Sequence, residues 1–284
     1  VNIQTLIKDI YAVVEKEENW FTASRLADFN VNLSTALNRP QYVPALRLSQ
    51  MGEKCPSALW HSIHSAAHAE AIQPWARIKF DYGHILEAYV IELVKAAGHE
   101  VTGEQDECVV DGIKGHRDCV IDGCIVDVKS TNSRSFQTIK DGLVAQDIFL
   151  RDYLDQLDGN LVGSAEDPLV RVKDRGYILA IDKVLGHLCL YEHKIRESNI
   201  RDRIATYKRF VNLNVPLRCT CGTVTDGKSG NIKLDVKASY NPFKYCCIPH
   251  LRTFLYASGP VYLTKVIRKP DVTEIDKYGK IIYN

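Results

Sequence analysis

The sequence has no apolar run approaching the roughly twenty residues that a helical membrane span needs, and it has no internal repeat or low-complexity tract. It also lacks an excess of charge of either sign: 36 Lys and Arg stand against 35 Asp and Glu, for a net of +1. Strong overall attraction to nucleic acid is therefore not indicated, and any such surface must be a local patch. The first twenty residues, VNIQTLIKDIYAVVEKEENW, lack the basic start and unbroken apolar centre of a secretory signal and read instead as an amphipathic helix.

What is present is an ordinary globular composition. Apolar residues make up 45% of the 284 and charged residues 25%, enough to bury a sizeable core in one large domain or in a domain with extensions. Nine cysteines, an odd number without a secretory signal, point to a reducing compartment. The expected location is the cytoplasm, or the host cytoplasm for a phage-encoded chain.

Helical patterning predominates up to about Ala71, where Pro56 suits the first turn of a helix through SALWHSIHSAAHAEA. WARIKF has the composition of a short strand. DYGHILEAYVIELVKAAGHEV carries the strongest helical period, with Ile85, Tyr89, Val90, Leu93 and Val94 as its apolar residues and Gly98 as its stop. From Val101 to Lys129 the chain reads as strands broken by Asp111-Gly112 and Asp122-Gly123, and Asp-Gly between apolar runs signals a hairpin. A helix over LVAQDIFLRDYLDQLDGNLVG, two strands over RGYILAIDK and GHLCLYEHKI, and a helix over ESNIRDRIATYKRFVNLN follow. This order predicts an α/β (α+β) fold with one central mixed β-sheet flanked by helices. The expected divisions are a helical N-terminal region (1–74), a core (75–215), and a Cys-containing extension (216–284) packing on the core. The extension reads as irregular up to GPVYLTKVI, a candidate last strand.

The stretch GHRDCVIDGCIVDVK places charges in an otherwise apolar pattern. If Asp122-Gly123 is a two-residue loop, residues whose numbers sum to 245 lie opposite each other. Asp118 then faces Asp127 and His116 faces Lys129, while Cys119, Ile121, Cys124, Val126 and Val128 fill the other face. Two facing carboxylates raise each other's pKa unless a cation lies between them, and a divalent ion with oxygen ligands would remove the repulsion. Lys129 shares the face of Asp127 and could hold a water beside such an ion. A third carboxylate, Glu87, sits on the preceding helix. The competing reading is a solvated sheet face in which Lys129 neutralises an aspartate.

Glu87 in GHILEAY, Asp118 in GHRD and Asp127-Val128-Lys129 in DVKST together resemble the PD-(D/E)xK nucleases, especially the RecB-like and phage exonuclease branch, over roughly Trp75 to Phe210. The resemblance implies a restriction-endonuclease-like core and a Mg²⁺- or Mn²⁺-dependent DNA exonuclease of phage or bacterial recombination, repair or replication, with proteins of those processes as partners. It implies Glu87, Asp118, Asp127 and the Val128 carbonyl as metal ligands, and Lys129 as the residue that orients or activates the attacking water. His116 is a further candidate, as a phosphate contact, a metal ligand or a structural residue. The branch carries Q-x-x-x-Y on a later helix. Here Gln156 matches, and Asn160 stands in place of the tyrosine.

The Cys-Pro of EKCPSALWH is similar to the opening of many RecB-like nucleases. In the iron–sulfur members, related to CRISPR-associated exonucleases, that early Cys joins three late ones. The resemblance therefore makes Cys55, Cys219, Cys221, Cys246 and Cys247 candidate ligands of a [4Fe–4S] cluster or of Zn²⁺. Cys108, Cys119, Cys124 and Cys189 read as core residues. Ser130, Thr131, Asn132 and Arg134 follow the D-x-K strand and are candidate DNA contacts. Lys194, Arg196, Arg201, Arg203, Lys208 and Arg209 form a basic helix whose interleaved acids favour a solvated surface, and Trp60, Trp75 and Phe136 are aromatic candidates for base stacking or core. The rival functions are a silent nuclease fold that binds DNA or protein, and a zinc- or cluster-stabilised interaction protein.

Overall fold

The structure is a computed structural model and describes residues 2–16, 19–38, 43–52 and 54–282. In chain order its regular elements are α1 (Leu6–Glu15), α2 (Ala23–Leu37), α3 (Pro56–His64), α4 (Pro74–Ala96), β1 (Val101–Thr102), β2 (Glu107–Val110), β3 (Ile113–His116), β4 (Cys119–Ile121), β5 (Cys124–Thr131), α5 (Ser133–Lys140), α6 (Arg151–Gly163), β6 (Arg175–Asp182), β7 (Leu188–Lys194), α7 (Glu197–Val211), β8 (Thr223–Thr225), β9 (Ile232–Leu234), α8 (Val236–Ser239), α9 (Lys244–Cys247), β10 (Arg252–Tyr256), β11 (Gly259–Lys265) and β12 (Glu274–Ile275). Among the described residues, no helix is long and apolar enough to cross a membrane.

The contacts divide the chain into two units, Val1–Gly52 with Ile72–Ile204, and Glu53–Ala71 with Ala205–Asn284. The helices up to residue 52 therefore belong with the main sheet, residues 53–71 group with the C-terminal residues, and the boundary falls inside α7.

The first unit is built on a mixed sheet of order β1-β4-β5-β6-β7, in which only β5 and β6 run parallel. A parallel pair cannot be joined by a tight turn, and α5 and α6 lie on the connection between these two strands. Strand alternation separates two apolar layers. Cys119, Ile121, Cys124, Val126 and Val128 pack on one face with Leu6 and Ile10 of α1 and Val90, Leu93 and Val94 of α4. Val120, Ile125, Ile178 and Ala180 pack on the other with Phe136 and Ile139 of α5 and Leu154, Leu157 and Leu161 of α6. The central sheet flanked by helices is thus present, and Cys108, Cys119, Cys124 and Cys189 are buried.

Both Asp-Gly turns form as their chemistry requires. Asp111 and Gly112 have φ of 48° and 80°, and Asp122 and Gly123 have 51° and 81°. These are the paired positive values of the hairpin turn whose twist matches that of the strands. The register Cys119↔Val126, Val120↔Ile125, Ile121↔Cys124 is the one that sums to 245.

Helix α4 corrects two expectations. WARIKF is not a strand but the first turns of this helix, which starts at Pro74; six residues of mixed apolar pattern do not distinguish the two states. Its buried stripe runs through Leu86, Val90, Leu93 and Val94, whereas Ile85 and Tyr89 are exposed. The helix ends in a Schellman arrangement: the Gly98 amide donates to the Lys95 carbonyl, the His99 amide to that of Val94, and Gly98 takes a φ of 85°. The helix expected from LVAQ onward begins only at Arg151, because Asp147 Oδ1 accepts hydrogen bonds from the amides of Phe149 and Leu150 and starts the chain afresh there.

The second unit overturns the expectation of an irregular extension. Its residues form an antiparallel sheet of order β12-β10-β11-β9-β8, accompanied by α3, α8 and α9. Most of these strands have five residues or fewer and are separated by Gly, Ser and Asn turns, so no alternation lasts long enough to be read locally.

Candidate metal-binding active site

The β4–β5 hairpin and α4 create the site. Asp118 immediately precedes β4, and its Oδ2 accepts a hydrogen bond from the Val128 amide at 2.8 Å, pinning it beside the middle of β5. Asp127 projects from β5 and is buried. Lys129 Nζ lies 2.8 Å from Asp127 Oδ1 and 3.9 Å from Asp118 Oδ2. The second Asp127 oxygen, Oδ2, is buried and has no hydrogen-bond donor among the described residues.

Glu87 reaches the same group from α4. Gln105 Nε2 donates to its Oε1 at 2.9 Å, and His84 Nδ1 lies 3.9 Å from its Oε2. Burial and then the charge of Asp118 push the Glu87 carboxyl up to about 8. Asp127 rises to about 7: burial drives it up, Lys129 opposes, and the charge of Asp118 adds to the rise. Burial works against the Lys129 ammonium, but Asp127 and Asp118 outweigh it and hold the lysine protonated well above its ordinary range. Among the described residues, three carboxylates thus gather beside the Lys129 ammonium, and one buried oxygen lacks a donor. That is a donor set matched to a divalent ion with oxygen ligands.

Other candidates are placed differently. His116 is not opposite Lys129. The strand breaks at Arg117-Asp118, and His116 is exposed in β3, paired with Glu107 of β2. Arg117 is buried: its guanidinium meets Asp167 at 2.6 Å, Asp106 at 2.8 Å and the Ser164 hydroxyl at 3.1 Å. The Asp122 carboxylate serves the turn, accepting from the Glu100 amide and lying 2.6 Å from His99 Nδ1. Gln156 is half-buried on α6, and among the described residues it is not hydrogen-bonded to Asp118, Asp127 or Lys129.

Tyr153, one helical turn before Gln156, supplies a contact that sequence reasoning missed. Its ring lies under the Lys129 ammonium, 5.2 Å from centroid to Nζ. The signal available was the i, i+3 spacing of Tyr153 and Gln156, which puts both on one side of α6.

Among the candidate DNA contacts, Thr131 is buried with its hydroxyl donating to the Ile181 carbonyl. Asn132 caps α5 by accepting from the Ser135 amide. Ser130 is half-buried, and Arg134 is exposed. The arginines about the start of α7 are engaged internally: Arg196 with Asp155 and Asp158, Arg203 with Asp155, and Arg201 with Asp111. Phe136 is core. In the second unit the Trp60 ring stacks on His64 while its indole N–H donates to the Leu213 carbonyl. Trp75 is 65% exposed.

The second unit gathers four thiols. The Sγ atoms of Cys55, Cys219, Cys221 and Cys247 all lie within 4.8 Å of one another, although 164 residues separate Cys55 from Cys219. Cys246 is excluded, its thiol directed to the His68 carbonyl instead. Adjacent residues in the short α9 point about 100° apart around the axis, so only one of them reaches the group.

No protein-family model and no curated protein matches the chain. Solved structures similar to it include the crystal structure of SSO0001, at 16% identity over 67% of this chain and 87% of that one, with a TM-score of 0.42. LHK-Exo in complex with dAMP follows at 14% identity over 60% and 87%, with a TM-score of 0.41. An alkaline exonuclease (LHK-Exo) from Laribacter hongkongensis follows at 14% over 64% and 90%, with a TM-score of 0.39.

Proposed function

We propose that the chain is a metal-dependent deoxyribonuclease of the PD-(D/E)xK type that hydrolyses phosphodiester bonds from DNA ends, in phage or bacterial recombination, repair or replication. The observation that carries this reading is Asp127: a buried carboxylate with one oxygen on Lys129 and the other without a donor among the described residues, close to Asp118 and Glu87. A solvated sheet face would not bury that group.

Mg²⁺ or Mn²⁺ held by Glu87, Asp118 and Asp127, with the Val128 carbonyl as a further ligand, would offset the charge of the phosphodiester and lower the pKa of a bound water. The protein's own part is to gather these carboxylates at one point, where burial and mutual charge raise Glu87 and Asp127 toward their protonated forms so that a cation is favoured, and to place the protonated Lys129 beside them. Because the two aspartates hold Lys129 protonated, it serves as a hydrogen-bond donor that orients the attacking water and stabilises developing negative charge, not as a base. Tyr153 and Asp127 fix where that ammonium points. The exposed Arg134, in the first turn of α5, would contact a phosphate, with the half-buried Ser130 as a further candidate. The preference for ends rests on the sequence resemblance.

Digestion of end-labelled linear and closed-circular DNA, with Mg²⁺, Mn²⁺ or chelator, tests the reading. The expected result is cation-dependent loss of label from linear DNA and intact circles. Cutting of closed circles would remove the preference for ends. DNA binding without cleavage in any cation would make the chain a binding module.

A further inference from the structure

The sequence leaves a [4Fe–4S] cluster or Zn²⁺ open at the early and late cysteines, and the thiol geometry decides between them. In a cubane each thiolate binds a different iron at a separate corner, which keeps the four sulfurs well apart. A single tetrahedral ion holds all four at about 2.3 Å from itself, and so about 3.8 Å from each other. Here Cys55 Sγ and Cys219 Sγ are 3.8 Å apart, and no pair among the four exceeds 4.8 Å. That spacing encloses one ion and leaves no room for a cluster.

The surroundings favour thiolates over packed neutral thiols. The Thr220 amide donates to Cys55 Sγ at 3.4 Å, and the Cys221 amide to Cys219 Sγ at 3.3 Å. Asn241 Nδ2 is 3.4 Å from Cys221 Sγ and 3.6 Å from Cys247 Sγ. Donors aimed at the sulfurs are what a set of coordinating thiolates requires around it. The elements carrying the four residues are short: Cys55 sits at the N-cap of α3, which Pro56 opens; Cys219 and Cys221 precede β8; and Cys247 ends the four-residue α9. Among the described residues, the apolar cluster beside them has Leu234, Ala238, Ile248 and Leu251 as its buried members. A metal at the four thiols would hold Cys55 to a segment 164 residues away in sequence.

We infer that Cys55, Cys219, Cys221 and Cys247 form a mononuclear tetrahedral Zn²⁺ site that ties residues 53–71 to the C-terminal residues of the second unit. Its four thiolates leave no open position, so the site is structural and not catalytic. It stands independently of the nuclease reading, whose carboxylates belong to the other unit.

The test is elemental analysis, acid-labile sulfide determination and a visible spectrum on the full chain, purified without oxygen from cells supplied with both iron and zinc. About one zinc per chain, no sulfide and a colourless protein are expected. Iron with equimolar sulfide and a broad visible absorbance would overturn the inference, as would a chain free of tightly held metal. Exchange with Co²⁺ should give the intense visible bands of a tetrahedral thiolate site, and bands of a six-coordinate ion would count against it. Cys247→Ser should lose the zinc and Cys246→Ser keep it, while Glu87→Gln should keep it with cleavage abolished. Retention of zinc by Cys247→Ser would show that the four thiols are not its ligands.

Discussion

Lys129 Nζ lies 2.8 Å from Asp127 Oδ1, and the aspartate in this pair is buried while the lysine keeps a fifth of its side-chain surface (19%). Removing the cation therefore strands a carboxylate away from water. Lys129→Ala should abolish cleavage and also destabilise the metal-free protein by about 3 kcal/mol at about pH 9, the usual cost of breaking a buried pair on one side. Asp127 stands at about 7 in the folded protein and rises further without the lysine, so the loss should shrink as pH falls to about 7, where both proteins take up the proton, and hold constant below it. Urea denaturation of parent and variant at about pH 6 and pH 9 measures it, and an equal loss at both would contradict the burial argument.

Glu87 gives a pH signature for cation binding. Its carboxyl rises from 4.5 to about 8 on folding. The folded protein keeps a proton that the unfolded chain releases between those values, so stability without metal falls as pH rises across that window and levels off above it. A bound cation removes the penalty. The Tm gained on adding Mg²⁺ should therefore grow from roughly pH 5 to pH 8. Melts in chelator and in Mg²⁺ at the two ends of the window check this, and a constant gain would mean that the ion binds elsewhere.

Tyr153 should act through its ring and not its hydroxyl. Tyr153→Phe keeps the face under the ammonium, with activity within about twofold of the parent, whereas Tyr153→Leu forfeits about 1 kcal/mol of cation–π attraction and should cut kcat about fivefold. Steady-state kinetics on the two variants separates the roles. Equal loss in both would assign the effect to the hydroxyl.

Arg117 holds the approach to Asp118. Its guanidinium reaches Asp106, Asp167 and Ser164 at once, a fork that lysine cannot reproduce. Arg117→Lys and Arg117→Met should both lose about 2 kcal/mol of stability in urea. Full stability of the lysine variant would show that charge alone suffices there.

The neighbours Asn132 and Arg134 should respond oppositely. Asn132→Ala removes a helix cap and should cost about 1 kcal/mol of stability without changing DNA affinity. Arg134→Ala should leave stability unchanged and lower the slope of log affinity against log salt by about 1. Binding titrations over a salt series, paired with thermal melts, distinguish the two.

The sequence alone determined the β4–β5 hairpin and with it the meeting of Asp118 and Asp127. An Asp-Gly loop fixes its own geometry, and a strict period of two then fixes which side chains share a face. The same local logic yielded the end of α4 at Gly98 and the strands β6 and β7. It failed at His116, because nothing local announces that Arg117 is drawn into a buried ion-pair network and breaks the strand there. It failed again after Pro216, where very short strands pair across long separations and leave no readable period. Only the tertiary structure decided that Tyr153 lies under Lys129, that Thr131 and Asn132 are occupied by the backbone, and that Cys247, not its neighbour Cys246, joins Cys55. Each of these depends on the direction in which a side chain leaves an element and on what another element, far along the chain, places in front of it.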